Sequence, residues 1–214
     1  MFAILTGMGD EFTSIGAMAR TELKVQGSRF IATALPARNR AEVAELVAKI
    51  RREFRDATHN CFAHRLGADG QDARSHDDGE PAGSAGKPIL AAIVHAGLTD
   101  VLVVVTRYFG GTKLGIGGLA RAYGGAATSA LAAAERVTHI ATIDMRISFP
   151  HRLISNVMHV VSRAGLRILD TSYDEEVHMI LVVRRSMADE TCAQLVERTS
   201  GNIHITRDTV NTRK

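Results

Sequence analysis

The chain has few of the residues that would assign it to several common classes. Two cysteines in 214 residues, Cys61 and Cys192, are too few and too far apart for a disulfide framework. A reducing, cytoplasmic setting is therefore expected. No apolar run approaches the roughly 20 residues that a membrane helix requires, so no membrane partner is expected. The opening string MFAILTGMGDEF has no basic flank and soon reaches Asp10 and Glu11; it reads as a ragged terminus and not as a signal peptide. A dominant charge is missing too. Lys and Arg number 26 against 23 Asp and Glu, a net +3. Divided at 138/139, the halves hold 16 basic against 14 acidic residues and 10 against 9, or +2 and +1. A nucleic-acid role would need local clustering of charge, because bulk charge does not supply it. Aromatics are scarce at 5%. The segment EVHMILVVRR at 176–185 has none and Tyr173 stands alone, so base stacking on a C-terminal sheet is not expected.

Hydrophobic residues make up 45% of the chain and charged ones 23%, which suits a globular core without staples. Periodicity divides the chain into two domains, 18–138 and 139–214. Residues 20–36 read as two short strands around Gly27. Val43, Leu46, Val47, Ile50 and Phe54 recur at helical steps. Residues 58–66 read as a strand and 67–83, rich in Gly, Asp and Ser, as an exposed loop. Ser84 is placed to cap a helix through Ala96 that Gly97 ends. The apolar run 101–105 predicts a strand buried on both faces, and an Ala/Gly-rich helix follows over about 113–134. From residue 141 the texture changes. Alternation at 143–149, a helical step at 153–161, strands at 167–173 and 177–184, a helix near 192–199 and a strand at 203–210 give the order βαββαβ. That is the split βαβ or ferredoxin-like plan, which by itself assigns no function.

The chemistry-bearing residues concentrate between 56 and 131. His59, Asn60, His64, Arg65, Asp77, Asp78, Glu80, Lys87, Arg107 and Lys113 sit among paired glycines that include Gly110 and Gly111. A zinc site is not expected: strand alternation puts His59 and Cys61 on one face and His64 on the other. Asp77, Asp78 and Glu80 have the oxygen ligands for Mg²⁺ or Ca²⁺, but a solvated acidic loop is the plainer reading. No Gly-x-Ser-x-Gly elbow and no P-loop occur, and Cys61 reads as a small buried cysteine before it reads as a nucleophile. Anion binding is better supported. The segment RYFGGTK at 107–113 joins a buried strand to a helix start, where glycines admit close backbone approach and the helix N-terminus favours negative charge. Arg107 and Lys113 add fixed charge. Residues 82–87 form a second cradle of the same kind. The plain alternative is that these glycines serve turns and packing only.

The strings SRFIA at 28–32, DATHNCFAHRLG at 56–67, DDGEPAGSAGKPIL at 77–90 and VVVTRYFGGTKLGIGGLARAYGGA at 103–126 resemble the IMPACT/YigZ family. The resemblance spans about half the chain. It departs from the family pattern at His64, where many relatives have an aromatic residue, and at Ser84, where many have threonine. It implies an α+β protein: an N-terminal α/β domain similar to the second domain of ribosomal protein S5, then a small C-terminal domain like the last of elongation factor G. It also implies a link to translation, since eukaryotic relatives bind an activator of a stress kinase and relieve translational repression. The expectation is a binding protein, with no cofactor, metal or catalytic residue. Its partner is RNA, a phosphate-bearing ligand or a ribosome-associated protein, met at His59, Asn60, His64, Arg65, Asp77, Asp78, Glu80, Lys87, Arg107, Gly110, Gly111 and Lys113. These residues are expected to line one face, with His59 and Arg65, or Asn60 and His64, as the better-exposed pair. The alternative is a hydrolase or transferase using His59, His64 and the acids Asp77, Asp78 and Glu80 on a small substrate.

Overall fold

In the computed structural model, residues 9–208 and 211–213 are described. The architecture is α+β, with two sheets and, among the described residues, five α-helices. The chain forms two compact units, residues 12–138 and residues 139 onward together with 9–11. The elements in chain order are β1 (Glu11–Ile15), β2 (Ala19–Val25), β3 (Ser28–Pro36), α1 (Arg40–Glu53), β4 (His59–Leu66), β5 (Asp72–His76), α2 (Gly86–His95), β6 (Val101–Tyr108), α3 (Gly115–Ala133), β7 (Arg136–Phe149), α4 (Ile154–Arg163), β8 (Arg167–Tyr173), β9 (Val177–Arg184), α5 (Ala188–Arg198), β10 (His204–Arg207) and β11 (Asn211–Arg213).

The N-terminal unit is built on a five-stranded antiparallel sheet in the order β2-β3-β6-β4-β5. The apolar run at its centre is buried on both faces, as its composition predicts. Val101, Val103 and Val105 pack with Phe30, Cys61, Ile89 and Tyr123 beneath α2 and α3. Leu102 and Val104 pack with Val43, Val47 and Ile50 beneath α1. Strand alternation thus assigns His59, Cys61 and Arg107 to the α2/α3 side of the sheet, and Asn60, Phe62 and His64 to the α1 side.

The C-terminal unit has the strand order β10-β7-β9-β8, with β11 also on β7. With α4 between β7 and β8 and α5 between β9 and β10, this is the ferredoxin-like plan. Met145, Phe149, Val157, Val161, Leu181 and Leu195 form its core.

Several local expectations are corrected. Residues 67–83 are not all loop: 72–76 form edge strand β5, whose side chains are largely exposed and so show no apolar alternation. Residues 11–15, of which 11 and 12 close the string read as a ragged terminus, form β1. β7 begins at Arg136, seven residues before the alternation expected from 143. The closing strand at 203–210 is β10 over 204–207, followed by β11; residues 209 and 210 lie outside the described residues. Ser84 does not cap α2; its Oγ donates to the carbonyl of Pro81 at 2.6 Å. Among the described residues no helix is long and apolar enough to cross a membrane.

Candidate functional site

The side chain that organises the N-terminal unit is Glu80. It is only 9% exposed, on the turn between β5 and α2. Its Oε1 accepts from Arg107 Nη1 on β6 at 2.7 Å and from Tyr123 Oη on α3 at 2.7 Å. Arg107 is 5% exposed. Its guanidinium lies 5.5 Å from the ring centroids of both Phe30 and Phe109, and Nη2 donates to Ser28 Oγ at 3.4 Å. A buried ion pair of this kind stands because both charges are matched and hydrogen-bonded. One donor is left over: Arg107 Nε is buried and has no partner among the described residues.

Around this pair the other residues settle in different places. His59 Nδ1 donates to the carbonyl of Asp78 at 2.7 Å, which directs Nε2 toward Glu80 Oε1 at 3.9 Å. Asp78 sits at φ +46°, an uncommon left-handed conformation for a non-glycine residue. It is held by Asn60 N–H, which donates to Oδ2 at 2.7 Å, and by Arg51, which pairs with Oδ1. Cys61 Sγ donates to the carbonyl of Asp77 at 2.9 Å. Burial, then the nearby carboxylates of Glu80, Asp78 and Asp77, push its thiol up to about 12. Tyr123 is raised as well, by burial first. A thiol so placed is protonated at neutral pH and is a poor nucleophile.

Asp77 changes the reading of the second cradle. Its Oδ1 accepts from Ala85 N–H at 3.0 Å and Gly86 N–H at 2.8 Å, and its Oδ2 from Gly83 N–H at 2.8 Å. The protein's own carboxylate therefore occupies the anion position at the start of α2. Burial opposes ionisation of Asp77, but these three donors outweigh it and hold the carboxyl below the usual range. Lys87 lies exposed in the first turn of α2.

The first cradle differs. Gly110 is required for packing: a Cβ there would meet Gly27 C at 1.9 Å and Ser28 N at 2.2 Å, and its N–H donates to Ser28 Oγ. Gly111 sits at φ +88° with open space around it and serves the turn. Beyond it, α3 starts without any side-chain cap. Lys113 is exposed and has no ion pair among the described residues. A cavity of about 250 Å³ opens here, lined by Glu80, Arg107, Phe109, Lys113, Gly115 and Ile116 among others. Phe109 is 47% and Ile116 67% exposed at its rim. The cavity thus combines an apolar rim, a free lysine and an uncapped helix start.

The expected residues do not share one face. His59, Glu80, Arg107, Gly110 and Lys113 gather at the β6–α3 end. Asn60 is buried, accepting from Thr106 Oγ1 at 2.7 Å, and His64 is buried on the α1 side. Arg65 lies at the far end of β4, where Nε donates to the carbonyl of Gly70 and Nη1 to that of Leu98. His59 and His64 therefore do not converge on one reaction centre. Among the described residues no group of three His, Cys, Asp or Glu side chains is arranged to hold a metal. Sequence reasoning missed Tyr123, Phe109 and Ile116. The available signals were a lone tyrosine in a small-residue helix and apolar residues flanking the glycines.

Comparison with known proteins places this geometry. Residues 26–131 match the Impact N-terminal domain, and 147–202 match a domain of unknown function, DUF1949. The IMPACT family member YvyE of Bacillus subtilis is 31% identical over 190 residues, 86% of this chain and 85% of its own length. The chain belongs to the IMPACT family. Another IMPACT family member, YigZ of Escherichia coli, is 31% identical over 185 residues, 85% of this chain and 90% of its own. A crystal structure described only as that of a hypothetical protein superposes with a TM-score of 0.69 at 28% identity, covering 92% of this chain and 97% of that one. The match to the Impact N-terminal domain contains the whole Glu80–Arg107–Tyr123 cluster and the cavity beside it.

Proposed function

We propose that this IMPACT-family protein binds single-stranded RNA through its N-terminal unit, in a cytoplasmic, regulatory role linked to translation. The observation that carries the reading is the cavity at the β6–α3 junction. Lys113 and the uncapped start of α3 offer positive potential to a phosphate. Phe109, steadied by the Arg107 guanidinium, offers an exposed face for a base. Arg107 itself is matched by Glu80, so it supports Phe109, and the net attraction falls to Lys113 and the helix. Family membership supports a translation-linked role of a general kind, and the two free thiols suit a reducing compartment.

Fluorescence anisotropy with a short labelled single-stranded RNA tests the reading. Lys113→Ala should weaken binding by about tenfold and lower the salt slope by about 0.7. Phe109→Ala should cost about 1–3 kcal/mol, the worth of one stacked base. Replacing Arg184 and Arg185 together should change nothing. If the wild-type chain shows no saturable binding, or both cavity variants bind as it does, the reading is wrong.

A further inference from the structure

The α1 side of the same sheet holds a larger groove, which the RNA reading leaves unused. It encloses about 560 Å³ between α1 and strands β4 and β5, within the range of small-ligand sites. At its floor lies His64, 4% exposed, and neither ring nitrogen has a partner among the described residues. Leaving polar atoms buried and unpaired is costly, and native structures seldom do it without a use for them. Burial pushes the His64 imidazole down, so the neutral ring offers one N–H donor and one lone pair.

The walls suit a ring. Phe62 and His76 stack at 5.3 Å between centroids. Val43 and Val47 of α1 add apolar surface, while the exposed Ala44 and Ala48 leave the space open where longer side chains would close it. The rim suits an anion. Arg40 makes a two-pronged contact with Asp72 at 2.8 and 2.9 Å. Arg74 stands 3.9 Å from the same carboxylate, and Arg51 pairs with Asp78. Three guanidiniums face two carboxylates, which leaves a positive charge without a match.

We propose that this groove is a second binding site, taking a ring-bearing anion of about nucleoside-monophosphate size. The ring rests on Phe62 and the valines, one polar edge meets His64, and the anionic group sits at the arginine rim. The site is distinct from the RNA cavity, because His64 and Arg107 lie on opposite sides of the sheet.

Isothermal titration of the full chain with nucleoside monophosphates, simple aromatic carboxylates and inorganic phosphate tests this. At least one ring-bearing anion should bind saturably, and inorganic phosphate should bind at least about tenfold more weakly. Ala48→Phe fills the groove from an exposed helix position and should abolish binding without unfolding the chain. His64→Phe keeps an aromatic ring at this position, removes both nitrogens and should weaken binding by about tenfold. Lys113→Ala should leave it unchanged, which separates this site from the RNA cavity. The proposal is overturned if no ring-bearing anion binds, if inorganic phosphate binds as well as the best of them, or if binding survives Ala48→Phe.

Discussion

Arg107 shows how much a residue's role depends on its partner. By type and position it reads as an anion receptor, but the structure matches it with Glu80 at 2.7 Å and buries both. The pair ties the β5–α2 turn to β6, and Tyr123 ties the same carboxylate to α3. Glu80→Gln keeps the shape and removes the charge, leaving a buried guanidinium unmatched. Losing one partner of a buried pair costs about 3 kcal/mol or more. The variant should therefore lower the urea midpoint of the N-terminal unit, followed through resonances of residues 12–138. An unchanged midpoint would mean that the pair contributes little. Replacing Arg107 is a poor test of ligand binding for the same reason, since its loss would damage the fold first.

At the scale of elements, the two helix starts are the instructive contrast. α2 is closed by Asp77, whose carboxylate collects three backbone N–H groups; α3 has no such cap. The closed start is structural, and its pH dependence follows. Asp77 is held below the ordinary carboxylate range, so its stabilising effect is complete above the unfolded value of about 3.9 and disappears as pH falls through the lower folded value. Thermal melts should show the wild type losing stability as the pH drops below about 4. Asp77→Asn should be less stable by about 1–2 kcal/mol at neutral pH and should show a shallower loss on the acid side. Equal acid slopes in the two proteins would remove Asp77 from this role.

At the scale of the whole molecule, the sequence states most of the architecture and little of the site. The run 101–105 identifies a strand buried on both faces because alternation is suspended there, and the 143–210 pattern states βαββαβ because each element keeps its own period. β5 was hidden because an exposed edge strand has no apolar face to show. The site was hidden for a different reason. Glu80, Arg107 and Tyr123 are far apart in sequence, and no spacing rule joins a turn, a strand end and a helix interior around one carboxylate. Likewise, nothing local says that Asp77 fills one cradle while the next stays open. We propose that the open one, at the start of α3, receives RNA. Amide chemical-shift mapping of the full chain on addition of a short single-stranded RNA tests it most directly. The largest shifts should fall on residues 109–117, with Phe109 and Lys113 among them. Shifts confined to residues 139–208, or none at saturating RNA, would contradict it.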